Sequence, residues 1–459
     1  MSQQHETSVS GARWTAGREG GGGQEHWTRI YYPAVILTMV YCFAFADRQI
    51  FNQLVEPIKR DFGASDLEIS YLLGPAFIFS YVLVALPAGW CADRFDRSRL
   101  ILIAGIAWGI GTMSAVLAHG YTGLFISRLF VGASEAFLYP AGMSLIPDLY
   151  NRKRLPIATS IFLLAPPLGG GLALLGGGLV LQATDKLGTI AVPLLGTLQG
   201  WQLTLVVVGI VGLIPVLLMT TIHDRRQVAP TTLAATERHE EYGFLRGTAY
   251  MVARWRFYVA FFFGMACSSM VMTTVSAWAP TYLARTFGLN HAQIGTHYGT
   301  LVLILGIAGG IAAPMISAGL GRWSAYPTMQ TVRLGPFMLV TFATLLIFAR
   351  SQEVALACLA LLTFSYTFPM SMASTSLQMA APPRLRGTAS AYYFVIVSLI
   401  GYGIGPSAVP LVTEHVFHDP TRIGEAMAII SAAFGLASAV LLSIAVKGFR
   451  AERELQGEP

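Results

Sequence analysis

Along almost the whole chain, long apolar runs alternate with short polar connections. A helix needs about 20 mostly apolar residues to cross a hydrocarbon layer roughly 30 Å thick. Runs of that length fall at residues 30–54, 67–91, 100–119, 122–148, 155–182, 200–222, 256–284, 291–318, 327–349, 353–379, 386–413 and 424–447. The pattern predicts an all-α membrane protein with twelve transmembrane helices. One connection, residues 223–253, is both long and polar, and it divides the spans into six and six. The expected organisation is a disordered cytoplasmic tail over 1–29, a first six-helix bundle over 30–222, a cytoplasmic linker over 223–253, a second bundle over 254–448 and a short cytoplasmic tail over 449–459.

The two halves carry matching segments. "RDFGASDLEI" at 60–69 and "RTFGLNHAQI" at 285–294 share R-x-F-G-x5-I, each between the first and second spans of its half. The fourth span of each half holds an aromatic-Pro pair, Tyr139-Pro140 and Phe368-Pro369, and the fifth opens on "RLPIATS" or "RLRGTASA". Three matches in one order point to a duplicated six-helix unit, the plan of many secondary transporters.

Composition sharpens this reading. The chain is 54% hydrophobic and 12% charged, with a mean hydropathy of +0.58, whereas soluble domains carry about 25% charged residues. The net charge of +6 comes from short basic clusters between spans rather than one basic face, so no nucleic-acid partner is expected. Most of the 30 Lys and Arg residues fall on the side that holds both termini, which makes that side cytoplasmic and the protein a multi-pass plasma (inner) membrane protein. The four cysteines, Cys42, Cys91, Cys267 and Cys358, lie far apart in apolar runs, and neither a metal site nor a cofactor is expected. "APPLGGG" in the fifth span and "GYGIGP" in the eleventh suit close helix packing.

Few ionisable groups lie well inside a span, and all sit in the first half. "AFADRQIF" places Asp47 and Arg48 in the first span, and "SRLFVGASEAFLYPAG" places Arg128 and Glu135 in the fourth. Each costs roughly 2.5–3.5 kcal/mol at a bilayer centre on insertion scales, so such groups face a bundle interior or a wet cavity and find partners. Arg128, Gly132 and Glu135 share one helical stripe. Gly132 lets a helix, a ligand or the two long side chains come close. Adjacent Asp47 and Arg48 point about 100° apart, so they have different partners. Asp47 with Arg128 and Arg48 with Glu135 or a substrate anion is one arrangement, which the sequence leaves open. A rearrangement that parts an acid from its arginine promotes protonation, so Asp47 and Glu135 are the proton-coupling candidates.

Between the second and third spans runs "GWCADRFDRSR". Its Gly89, Asp93, Arg94 and Arg97 fit G-x-x-x-D-R-x-x-R, and with twelve spans and a central connection this resembles the major facilitator superfamily. The resemblance implies two bundles rocking about a central cavity, with Asp93 in a conformational latch against the second bundle. Asp96 departs from the glycine common in that family, and the corresponding loop of the second half, "SAGLGRWSAYP", lacks the acid.

Within the superfamily, Asp-Arg in the first span with R-x-x-x-G-x-x-E in the fourth is similar to the spinster group, associated with lysolipids and sphingosine-phosphate-like amphipaths. The similarity implies substrate contacts at Arg48, Arg128, Tyr41, Phe45, Gly132 and Tyr139. The second half has no central charge and offers Trp278, Tyr298, Tyr366 and Tyr392. A charged half facing an aromatic half suits an amphipathic anion. The expected protein is a monomeric, proton-coupled secondary transporter whose partners are membrane lipids, protons and an amphipathic or anionic small molecule. A proton-coupled organic-anion symporter for sugar acids or carboxylates is the alternative. The loops hold no nucleophile–base pair or carboxylate metal cluster for a membrane enzyme, and charge confined to one half disfavours a symmetric pore.

Overall fold

The computed structural model describes residues 27–151, 154–192, 196–224, 244–382 and 385–455. The expected N-terminal tail, most of the central connection and the basic Arg152-Lys153 step lie outside them. Among the described residues, twelve helices are long and apolar enough to cross a membrane: α1 Ile30–Gln53, α2 Asp66–Arg94, α3 Arg97–Leu117, α4 Tyr121–Leu149, α5 Ile157–Leu187, α6 Gly200–Thr221, α7 Tyr258–Phe287, α8 His291–Leu320, α9 Pro327–Ile347, α10 Gln352–Ala380, α11 Arg386–His415 and α12 Pro420–Leu455. Large apolar side chains such as Leu83, Leu86, Ile103 and Met315 stand two-thirds exposed or more on the outer surfaces of these helices, where lipid rather than water is the natural neighbour.

The repeated R-x-F-G-x5-I segment has a local physical meaning. In both halves it stops one helix and starts the next. Gly63 (φ 64°) and Gly288 (φ 68°) adopt the left-handed conformation that ends the helices before them, a conformation glycine enters at no steric cost. Two residues later Ser65 and Asn290 each cap the new helix, and Glu68 and Gln293 return a side-chain bond to the cap backbone. These are reciprocal capping boxes. The closing Ile69 and Ile294 are buried and anchor each restart. In the first half the segment follows a short amphipathic helix, Val55–Phe62, which connects α1 to α2. Between α5 and α6, β1 (Ile190–Val192) and β2 (Gly196–Leu198) form a small antiparallel hairpin.

Two helices run past the expected boundaries. Residues Phe244–Ala253, assigned to the linker, form a helix. Its Tyr250 donates to Glu452 at 3.0 Å, and nearby Arg254 lies 3.0 Å from the same carboxylate. The last helix likewise continues through "GFRAEREL" to Leu455 rather than ending at 448, because Ala, Arg, Glu and Leu are good helix formers and Glu452 is tied to that clamp.

The apolar core falls into three parts. One lies within the first bundle, around Trp108, Phe77 and Phe162, and one within the second, around Phe257, Tyr258 and Phe449. The third belongs to both bundles. It runs from Phe51, Leu54, Leu72 and Trp201 to Val271, Trp278, Tyr282 and Val409, at the end away from the two chain termini, here the far face. Polar contacts reinforce this joint. Arg285 at the end of α7 makes a two-pronged bond to Asp66 (2.7 and 2.8 Å) and a further one to Glu56 (2.6 Å), and Lys59 holds Asp66 from its own side at 2.7 Å. Glu414 accepts from the Leu67 amide at 3.1 Å, Ser70 donates to Ser407 at 3.0 Å, and His291 of α8 lies 4.0 Å from Asp185 of α5. The bundles therefore meet at the far face in this conformation.

Arg285 is the cation through which the second bundle holds Glu56 and Asp66. Breaking one partner of such a buried pair costs on the order of 3 kcal/mol. In Arg285→Ala, spin labels on the far ends of α2 and α11 will report a larger share of separated bundles than in the wild type. An identical distance distribution in the two proteins contradicts this role.

Candidate functional site

Asp47 and Arg48 of α1 and Arg128 and Glu135 of α4 meet in the middle of the first bundle and pair crosswise. Asp47 is fully buried. Its Oδ2 lies 3.2 Å from Nη1 of Arg128 and its Oδ1 accepts from the Thr112 hydroxyl of α3 at 2.9 Å. Arg48 turns the other way and grips Glu135, with Nε at 2.7 Å and Nη2 at 2.5 Å from Oε2. The 100° between consecutive residues on a helix is what sends the two α1 groups to two different stations on α4. Rings wrap both cations: Arg128 lies 4.0 Å from the Phe51 centroid, and Arg48 lies 4.3 Å from Phe77 and 5.2 Å from Tyr81, so cation–π contact replaces part of the lost hydration.

The pairs differ in access. Asp47 and Arg128 are sealed, at 0% and 1% side-chain exposure, whereas Arg48 keeps 13%. Arg48 lines a cavity between the bundles together with Gln49, Asn52, Leu73 and Phe77 from the first bundle and Met272, Thr273, Ser276, Ala277, Tyr402 and Pro406 from the second. The cavity measures about 20 Å³ in this conformation, room for a water-sized group. Behind it, Nη2 of Arg128 and Oε1 of Glu135 are buried with no partner among the described residues. The quartet thus holds unspent hydrogen-bonding capacity, which a rearrangement could use.

The helix breaks serve this geometry. Pro140 has no amide hydrogen to give the carbonyl of Ala136, and the helical run pauses at residues 136–137, immediately after Glu135. Gly132 sits where α4 crosses α2. A Cβ there would run into the Phe77 carbonyl and Ser80, so it serves helix packing, and it does not line the Arg48 cavity. Glycines of the fifth and eleventh spans act alike: Gly169 abuts the Cys42 carbonyl of α1, and Gly401 and Gly405 abut Ser269 and Thr273 of α7.

Tyr41 and Tyr139 stand 5.6 Å apart, and Phe162 completes the cluster at 5.3 and 6.1 Å. Phe45 stands beside the Arg48 guanidinium at 5.7 Å. The four second-half aromatics expected at the site do not line the cavity. Trp278 is wholly buried in the shared core and donates to the Pro406 carbonyl at 2.6 Å. Tyr298 is buried in a π-helical turn, Gly295–Gly299, and Tyr366 donates to Thr363 at 3.4 Å. Tyr392 bonds Thr248 near the chain's terminal face, at 2.7 Å. A sequence pattern cannot tell an inward tyrosine from a packed one. Tyr402, Tyr81, Thr112, Gln49 and Asn52 are the site residues that sequence reasoning missed. Asn52 carried a signal, because it continues the face of Arg48 at i+4.

The loop motif is divided. Asp93 and Arg94 are exposed, and Arg94 stacks on Trp90 at 4.1 Å. Gly89 has open space around it. Asp96, where the family pattern has glycine, caps α3 by accepting from the Arg99 amide at 2.8 Å. Arg97 is buried and binds Asp224 (2.6 and 2.8 Å), Asp148 (2.6 Å) and the Ser144 carbonyl (2.6 Å). All of these partners lie in or just after the first bundle, so in this conformation Arg97 clamps α3, α4 and the exit of α6 to one another. Its fork geometry matches the Asp224 carboxylate, which lysine cannot copy.

Two six-helix bundles, a joint at one face and a buried charge quartet beside an inter-bundle cavity define a membrane transporter of the alternating two-bundle type. A family model for the Major Facilitator Superfamily matches residues 37–406, and the chain belongs to that superfamily. It is 24% identical to an MFS-type efflux pump of Mycolicibacterium smegmatis, over 93% of this chain and 95% of that one. It is likewise 24% identical to protein spinster homolog 1 of Xenopus laevis, over 83% of this chain and 72% of that protein. Among solved structures it resembles a bacterial homolog of the human lysosomal transporter Spinster, with a TM-score of 0.70 and 21% identity over 94% of this chain and 98% of that one.

Two substitutions test the packing. Gly132→Ala forces α4 from α2, and overpacking of this kind costs about 1–3 kcal/mol. Arg97→Ala removes the two-pronged partner of the buried Asp224 carboxylate at a cost on the order of 3 kcal/mol, and Arg97→Lys recovers part of it. Both Ala variants will lower the unfolding midpoint of the purified protein in detergent. Midpoints equal to the wild type contradict the assigned contacts.

Proposed function

We propose that this protein is a proton-coupled secondary transporter of an amphipathic, anionic, lipid-like small molecule, with Arg48 as the site of the anionic group. One observation supports the reading above others: Arg48 is the member of the quartet that stands at the cavity wall, and Glu135 is its counter-ion. An anion arriving at Arg48 competes with Glu135 for the guanidinium. A buried carboxylate left without its cation favours the protonated form, so anion and proton bind together. Asp47 and Arg128 form the deeper relay, and Thr112 orients Asp47. The Tyr41, Tyr139 and Phe162 cluster gives an apolar body a surface to rest on. Asp93 remains the proposed latch residue of the terminal face, in a plasma-membrane protein with cytoplasmic termini.

A second reading, symport of a small organic anion such as a sugar acid, is favoured by the polar lining of Gln49, Asn52, Thr273 and Ser276. A probable galactarate/D-glucarate transporter of Bacillus subtilis is also among the relatives, at 22% identity over 62% of this chain and 64% of that protein.

Proteoliposomes with an imposed pH gradient test the reading against lysolipids and sugar acids. Wild-type protein will accumulate one class uphill. Asp47→Asn and Glu135→Gln will lose accumulation by at least about tenfold, the scale of one lost charge-assisted contact. Native-rate, gradient-sensitive accumulation by both variants contradicts the coupling assignment.

A further inference from the structure

The charged quartet does not account for the whole cavity wall. Arg48 and Asn52, at i and i+4 of α1, share one stripe, and Gln49 at i+1 stands about 100° to its side; all three line the cavity. Nδ2 of Asn52 donates to Oε1 of Gln49 at 2.6 Å, which fixes the two carboxamides against each other. Each amide has a further group to offer, and the bond leaves a donor on Gln49 and an acceptor on Asn52. Glu135 takes up Nε and Nη2 of Arg48. The stripe therefore presents a cation with an adjoining donor and acceptor. Across the cavity stand Ser276, Tyr402 and apolar Met272, Ala277 and Pro406, with no opposing charge. Leu54, Val275 and Trp278 of the far-face core are fully buried, and Leu73 and Ala277 of that core form part of the cavity wall. A ligand head that reaches Arg48 stops beside Gln49 and Asn52.

We infer that Gln49 and Asn52 set head-group specificity, and that the ligand is a hydroxylated anion: a carboxylate or phosphate ester with a hydroxyl one or two carbons away. A hydroxyl both donates and accepts, which matches what the amide pair leaves open. An anion lacking it leaves both amides unpaired once water is displaced, and a site built to bond a hydroxyl discriminates against such analogues. This inference rests on the transport reading and specifies the substrate class of that same site. The shared chemistry occurs in a lysophospholipid head and in a small sugar acid.

The test uses full-length protein in liposomes of neutral phospholipid, with two matched pairs: lysophosphatidate against its deoxy counterpart, and gluconate against 2-deoxygluconate. In the pair that is transported, the wild type will prefer the hydroxylated member by roughly tenfold to a hundredfold. Gln49→Leu and Asn52→Leu will bring the ratio toward one, and Asn52→Gln will restore part of it, which a merely structural role for Asn52 would not produce. Lipid and sugar-acid arms separate the two sources. A wild type that moves both members of a pair equally, or a ratio unchanged in both Leu variants, overturns the specificity assignment and leaves the transport reading standing. If no anion moves in either arm, the transport reading falls and this one with it.

Discussion

The cost of charge in an apolar bundle governs this structure. Asp47, Arg48, Arg128 and Glu135 cannot be left alone between spanning helices, and the chain answers with two crosswise pairs between α1 and α4. Everything around them serves that pairing. Gly132 brings α4 against α2, Pro140 breaks α4 just after Glu135, Thr112 completes Asp47, and Phe51, Phe77 and Tyr81 face the guanidinium groups. Such pairs are poor sources of stability compared with apolar packing. Their sense is in what they allow, because one pair is sealed and the other touches a cavity.

The two halves repeat a fold without repeating its chemistry. Gly63 and Gly288, with their capping boxes, place the same stop and start in each half. Arg285 of the second copy crosses to Asp66 of the first, while the position matching Asp66 is His291, which approaches Asp185. The far-face joint is thus built from equivalent positions with different strengths. The charges that matter inside the membrane belong to the first half, and the second half supplies the uncharged wall.

Much of this was legible in the sequence, for physical reasons. Twelve apolar runs, the six-and-six division and the repeated R-x-F-G-x5-I segment follow from hydrophobic length and turn chemistry, which are local. The pairing of Asp47 with Arg128 and Arg48 with Glu135 was narrowed by helical geometry and the price of unpaired charge, although the sequence left it open. What was not legible depends on which way a side chain turns in the packed bundle. Trp278 and Tyr298 are as aromatic as Tyr402, yet the first two fill core and the third lines the cavity. Arg97 belongs to the loop motif, yet its partners here are Asp224 and Asp148, and those acids carry no pattern that names their partner.

The central claim is that an anion at Arg48 releases Glu135 to a proton. The most direct measurement is proton exchange on binding: purified protein in weakly buffered detergent, titrated with the anion that proteoliposomes accumulate, while solution pH is recorded. The account predicts proton uptake that follows ligand occupancy and disappears in Glu135→Gln. Saturable binding with no proton uptake anywhere between about pH 5 and 9, a range spanning the shifts open to buried carboxyls, would contradict it.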